Sequence, residues 1–316
     1  MLDTLLFIVG VTLPVCIMLL AGVVLKRTGF IDDHFITVSS RLVFNFGLPA
    51  VLFFSLSSFG KEEAMDSRLL LLAFITAVGG FFFSWLLSLK VVPERRDRGI
   101  FIQGASRGNL AIIGLALAGN MYGEPGIAQL SLMMAATVPI YNILSVFFLS
   151  YYQSDATQKI DLGRIARNII CNPLIIAVFA GVGFSFTGLT IPGVITKVGH
   201  YFAQITLPLA LLGVGGTLSL QAFTKTSHAS FWASLFKVVL LPAATMPLMI
   251  WAGYRGMELG TVFLMLSCPT AAASFVMAKA YDGNSDLAAN IILLTSIGAL
   301  PVVSLGLFLM RTWGLI

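Results

Sequence analysis

Two short stretches place polar groups where the surrounding chain is apolar. Residues 103–117 read Gln-Gly-Ala-Ser-Arg-Gly-Asn-Leu-Ala-Ile-Ile-Gly-Leu-Ala-Leu and hold Arg107, Gly108 and Asn109. Residues 267–274 read Ser-Cys-Pro-Thr-Ala-Ala-Ala-Ser and hold Pro269, Thr270 and Ser274. An arginine at the centre of a spanning helix costs about 2.5 to 3.5 kcal/mol on insertion scales, and each glycine costs about 1 kcal/mol against alanine. A helix that only fills space would not carry them. Pro269 removes a backbone donor and clashes with the preceding turn, which frees carbonyls. Irregular backbone is tolerated at membrane depth only where it is buried in protein or faces water, so each stretch is expected to be a break in a spanning helix. Two half-helix N-termini converging beside the planar guanidinium of Arg107 would suit a carboxylate, with Asn109, Thr270 and Ser274 adding neutral hydrogen bonds. The alternative for Arg107 is a side chain that snorkels from a helix end, with the glycines serving helix packing.

The groups missing from the apolar segments narrow the chemistry. All fourteen acidic residues fall in expected loops or at span ends, so no membrane carboxylate is offered as a proton carrier or sodium ligand. Glu258 opens a span and reads as a partner of the helix dipole. Sodium held by carbonyls, Asn, Ser and Thr stays open. Cys16, Cys171 and Cys268 show no metal or disulfide spacing, and His34, His200 and His228 are scattered. No nucleophile is paired with a base, so an enzyme, a metal centre and a cofactor are not expected. The net charge of +5 comes with no basic run beyond the neighbourhood of Arg95 and Arg96, which argues against nucleic acid.

The elements that must position these residues are membrane spans. At 316 residues and 58% hydrophobic content the chain allows roughly ten crossings of about 20 residues each, embedded in a lipid bilayer. They are expected at 5–25, 36–58, 69–92, 100–119, 127–150, 169–186, 197–219, 231–253, 258–281 and 287–310. Asn45 in the second span and Asn142 in the fifth are candidate second contacts for a substrate; the plainer role for each is an interhelical hydrogen bond worth about 0.6 kcal/mol. A tight external turn is expected over 122–126, and the polar interval 151–167 separates two halves.

Those halves resemble each other. Ile36-Thr37 and Leu48-Pro49 recur as Ile195-Thr196 and Leu207-Pro208 at an offset of 159, and the break at 107–109 recurs at 268–270 at an offset of 161. Gly123 recurs as Gly283 at 160, and Pro139 as Pro301 at 162. Two units of five helices, 1–153 and 154–316, follow; because five is odd, the second is inverted. With the N-terminus outside, ten basic residues fall in cytoplasmic loops, among them Lys26, Arg27, Arg95 and Arg96, against five outside. Both termini are then outside.

Several segments together resemble a known family. Arg41-Leu-Val-Phe-Asn-Phe-Gly-Leu-Pro-Ala50, Gly108-Asn109 followed by Ile113-Gly114-Leu115, Val138-Pro-Ile-Tyr-Asn-Ile-Leu-Ser145, Asn172-Pro173-Leu174 and Cys268-Pro-Thr-Ala-Ala271 are similar to signature segments of the auxin efflux carrier family. That family includes plant auxin exporters and bacterial transporters for malonate and other organic acids. The resemblance implies an all-α protein of ten transmembrane helices in an inverted 5+5 repeat, with broken helices four and nine crossing. It also implies a moving bundle of helices 3–5 and 8–10 against a scaffold of helices 1, 2, 6 and 7, dimerising through helices 2 and 7. The lack of a long cytoplasmic loop fits a bacterial member in the inner membrane. The expected function is secondary transport of small organic anions by an elevator motion. A channel or a membrane-bound sensor on the same fold is the alternative.

Overall fold

The computed structural model describes residues 2–57, 67–153, 170–218 and 227–316, together with Gly163 and Arg167. Most of the interval 151–167 and the loop residues Lys61, Lys159, Arg164 and Lys225 therefore lie outside the described residues. Helices follow one another along the chain: α1 (Leu2–Arg27), α2 (Asp33–Leu42), α3 (Leu48–Ser57), α4 (Ser67–Val91), α5 (Arg95–Ser106), α6 (Leu115–Gln153), α7 (Pro173–Thr187), α8 (Gly193–Thr217), α9 (His228–Leu235), α10 (Leu241–Trp251), α11 (Gly256–Ser267), α12 (Ala273–Ala280) and α13 (Ser285–Thr312). No named strand occurs among the described residues. Among the described residues, seven stretches are long and apolar enough to cross a membrane, and Pro173–Thr187 and Gly256–Ser267 are shorter apolar helices.

Local sequence explains where the helices deviate. Wide π-turns at Val43–Gly47 and Phe236–Leu240 connect α2 to α3 and α9 to α10. Each precedes a proline, Pro49 or Pro242, that has no N–H for the carbonyl four residues back and crowds it, so the helix widens rather than ends. A third π-turn, Leu110–Gly114, joins the first break to α6. α6 is one label for two helices, because Gly123 sits at φ 65°, ψ −149°. Around it the chain doubles back: a Cβ on Gly119 would meet Ile127 at 3.1 Å, and one on Gly126 would meet the Ala118 carbonyl at 2.7 Å. A straight helix would hold residues eight apart about 12 Å from each other, so the turn expected over 122–126 is present.

Packing separates the helices into two groups. α1 lies chiefly on α8, and α3 on α7 and α8; α4 lies on α5 and α6, and α9 on α13. Gly22 and Gly215 let α1 and α8 approach until a Cβ on either would run into the other helix's backbone. Within the second group, the Gln129 amide of α6 donates to Thr261 Oγ1 of α11 at 2.8 Å, and Ser84 of α4 pairs with Ser106 of α5 at 2.8 Å. Large apolar side chains such as Leu20, Phe46, Phe83 and Tyr201 face outward. Their exposure is the reverse of a water-soluble surface and matches a hydrocarbon solvent.

Candidate functional site

The two polar stretches meet at the centre of the second group. α5 ends at Ser106, where Arg107 turns extended (φ −81°, ψ 111°), and α11 ends at Ser267, where Cys268 does the same (φ −57°, ψ 140°). The freed strands run antiparallel, with Gly108 opposite Thr270. Asn109 N donates to the Pro269 carbonyl at 2.8 Å, and Ala271 N donates to the Arg107 carbonyl at 3.1 Å. Backbone groups that a continuous helix would pair internally are thus satisfied across the break.

The same accounting runs through the carbonyls one turn earlier. In an unbroken helix the Gly104 carbonyl would accept from Gly108, and the Leu266 carbonyl from Thr270. Instead the Thr270 hydroxyl donates to the Gly104 carbonyl at 2.6 Å, while Thr270 N turns to Thr295 Oγ1 of α13 at 3.0 Å. Gly108 has no side chain with which to return the favour to Leu266. That role falls to Lys237, whose Nζ donates to the Leu266 carbonyl at 2.8 Å. Lys237 sits in the π-turn between α9 and α10 and is 0% exposed. Its ammonium fills the space beside Gly108, where a Cβ would come within 3.4 Å of Nζ, of Leu110 Cδ2 and of the Met265 carbonyl.

Among the residues expected to form the site, Arg107, Gly108, Asn109, Pro269, Thr270 and Ser274 are brought together here. Arg107 is half-buried, and its Nη1 points at Met277 Sδ, 2.9 Å away on α12. Neither Arg107 nor Lys237 is paired with a carboxylate among the described residues, and the buried charged and polar side chains include no Asp or Glu. Ser274 is 1% exposed; its carbonyl accepts from Gln103 Nε2 at 3.0 Å, but its hydroxyl finds no partner. Gln103 Oε1 and Ser267 Oγ, both fully buried, are likewise unpartnered. Such groups cost about 1 to 3 kcal/mol each when left unsatisfied, which marks this as a polar cluster in an apolar body.

Neither Asn45 nor Asn142 is hydrogen-bonded to this cluster among the described residues. Asn45 is exposed in its π-turn, and its amide donates to the Arg41 carbonyl at 2.9 Å. Asn142 is half-buried within α6. Ala271 joins the crossing through its N–H, whereas Ala273 is exposed rather than packed under another backbone. Lys237 is a further buried polar group at the crossing, beyond the residues expected from the sequence. The signal was available: it is the one charged residue between Ser230 and Tyr254, as conspicuous in its span as Arg107. No group of three His, Cys, Asp or Glu side chains suited to a metal occurs among the described residues.

A separate cavity of about 520 Å³ lies between α3, α7, α8 and the Gly123 turn, lined by Ser55, Glu124, Thr196, His200 and Gln204 among others. Ser55 Oγ donates to Glu124 Oε2 at 2.7 Å across its wall, linking the two helix groups.

A profile described as membrane transport protein matches residues 7–307. The chain belongs to the auxin efflux carrier family of membrane transport proteins. Relatives span nearly their whole lengths with it. An uncharacterized transporter of Methanocaldococcus jannaschii is 24% identical over 93% of this chain and 96% of its own. A protein of Rhizobium meliloti described as a candidate malonate transporter is 28% identical over 85% of each chain. The uncharacterized transporter YfdV of Escherichia coli K12 is 22% identical over 90% of this chain and 94% of its own. Membership of this family, with the apolar helices, makes the chain a multi-pass membrane protein of a transporter family.

Proposed function

We propose that this chain is a secondary transporter of small organic anions, mono- or dicarboxylates, working by elevator-type alternating access. The observation that carries the reading is the backbone crossing of two broken helices beside Arg107, a guanidinium with no carboxylate partner among the described residues. A planar cation of this kind matches a carboxylate with two parallel hydrogen bonds, and the unpartnered hydroxyl of Ser274 and the buried Asn109 belong to the same pair of breaks. The candidate malonate transporter among the relatives supports the same substrate class.

The architecture that goes with this function has ten crossings in two inverted units, 1–153 and 154–316. α5 with the start of α6, and α11 with α12, form the fourth and ninth crossings. α5 and α11 are each twelve residues, about 18 Å, or roughly half the bilayer core. The antiparallel bridge joins Gly108 to Thr270, 162 residues on and within the 159–162 range of the repeat offsets, which supports a two-fold relation at the crossing. The packing groups support a scaffold of α1, α2, α3, α7 and α8 and a moving bundle of the rest. Exposed apolar side chains on α2, on the π-turn that follows it and on α8, including Val38, Phe46 and Tyr201, offer a surface for a homodimer. The protein then sits in the inner (plasma) membrane with both termini outside the cytoplasm.

Counterflow tests this. Purified protein in liposomes loaded with unlabelled malonate should accumulate labelled malonate transiently and saturably. Current without counterflow would identify a channel, and binding without movement a sensor.

A further inference from the structure

Lys237 has no place in the transport reading so far, yet it is the most deeply buried charge among the described residues. Its ammonium is 0% exposed, donates to the Leu266 carbonyl at 2.8 Å and lies against Gly108, the residue next to Arg107. A lysine held in a spanning segment is costly and snorkels when it can. This one points inward to a carbonyl released by the ninth-helix break. The unpartnered hydroxyl of Ser267, adjacent in sequence to Leu266, adds a second polar atom left open there. The crossing thus gathers two basic side chains and, among the described residues, no carboxylate.

We propose that Lys237 is a specificity-determining residue that sets the charge of the cargo: the crossing selects dianions over monoanions and moves loaded far faster than empty. The proposal rests on the reading of the crossing as a carboxylate site. A dicarboxylate of charge −2 neutralises Arg107 and Lys237 together, so the loaded bundle travels through a low-dielectric surrounding as a neutral body. With a monocarboxylate one positive charge is left unmatched, and the empty bundle carries both. Unpaired charge in such surroundings is penalised far more than a matched pair. The carrier therefore exchanges one dicarboxylate for another and returns empty only slowly. No metal ion or membrane carboxylate is needed for this.

The test uses malonate as dianion and propionate as monoanion, with the full-length protein in liposomes near neutral pH. For wild type, labelled malonate uptake should be about tenfold or more faster into vesicles loaded with malonate than into empty ones, with no exchange current, and malonate should be preferred to propionate. Lys237→Gln should weaken malonate by about ten- to a hundredfold, the span expected for one lost charge-assisted contact. It should leave propionate affinity within about threefold, speed propionate movement because Arg107 alone matches a monoanion, and bring malonate uptake into empty vesicles close to the exchange rate. Lys237→Met, which keeps length and suits the apolar surroundings, takes the same measurements if the glutamine variant does not fold. An unchanged malonate-to-propionate ratio in a folded variant overturns the proposal while leaving anion transport standing. Absence of counterflow with either acid in folded wild type removes the transport reading and this proposal with it.

Discussion

The hydroxyl of Thr270 donates to the carbonyl of Gly104 at 2.6 Å, tying one broken helix to the other through a residue on each side of the crossing. A carbonyl stranded by the departure of Gly108 from helical geometry is satisfied from the opposite strand, in a place that is 1% exposed at Thr270. Thr270→Val keeps the shape and removes the donor, so it should destabilise the protein by about 1 to 3 kcal/mol, and Thr270→Ser should recover most of the loss. Thermal unfolding in detergent reads this directly; a valine variant as stable as wild type would mean the bond contributes nothing net.

Pro269→Ala gives back a backbone N–H one turn beyond the Met265 carbonyl, where the chain now leaves the helix. A more continuous ninth helix competes with the antiparallel crossing, so the variant should insert normally and lose about tenfold or more in counterflow, equivalent to ~1.4 kcal/mol or more. Wild-type kinetics would show that the strand pairing holds the break open without help from the proline.

Arg107 can be interrogated by two substitutions. If its guanidinium grips a carboxylate, Arg107→Ala should weaken malonate binding by about ten- to a hundredfold, with Arg107→Lys in between because charge survives without the fork. A side chain that only snorkels is indifferent to the lysine swap. Equal affinities in all three folded proteins would leave Lys237, Asn109 and the backbone among the remaining contacts.

Orientation is open to labelling. Native Cys171 is exposed, so it and the other cysteines are first replaced. Single cysteines at position 126 and at the C-terminus should then react with an impermeant reagent from outside, and one at position 96 should not. Position 96 and the C-terminus reacting from the same side would exclude the inverted arrangement.

Both breaks were legible because they go against helix energetics: glycine, arginine and proline cost enough inside a span that their presence at 107–109 and 268–270 demands a reason. The turn at Gly123 was legible for the same kind of reason. What stayed hidden was pairing. The partner of Lys237 is a main-chain oxygen 29 residues away, and no side-chain pattern announces a carbonyl. Thr295 was missed alike, since a single threonine in an apolar helix usually bonds to its own preceding turn, and Thr295 does so to the Ile291 carbonyl while also accepting from Thr270 N. Asn45 drew attention as a polar residue in a bend, but its amide goes to Arg41 in the turn that Pro49 widens.

The bonds from Asn109 to Pro269 and from Ala271 to Arg107 use only main-chain atoms, which every residue but proline supplies in full. Apart from the proline and the glycine that shape the path, and the Thr270 hydroxyl and Lys237 ammonium that cap two freed carbonyls, the knot is tied in backbone. Descendants of such a protein are therefore free to exchange the groups that meet the cargo, one position at a time, without untying the hinge that carries it. Proteins 22–28% identical to this chain, as these relatives are, leave most positions free to differ around such a frame.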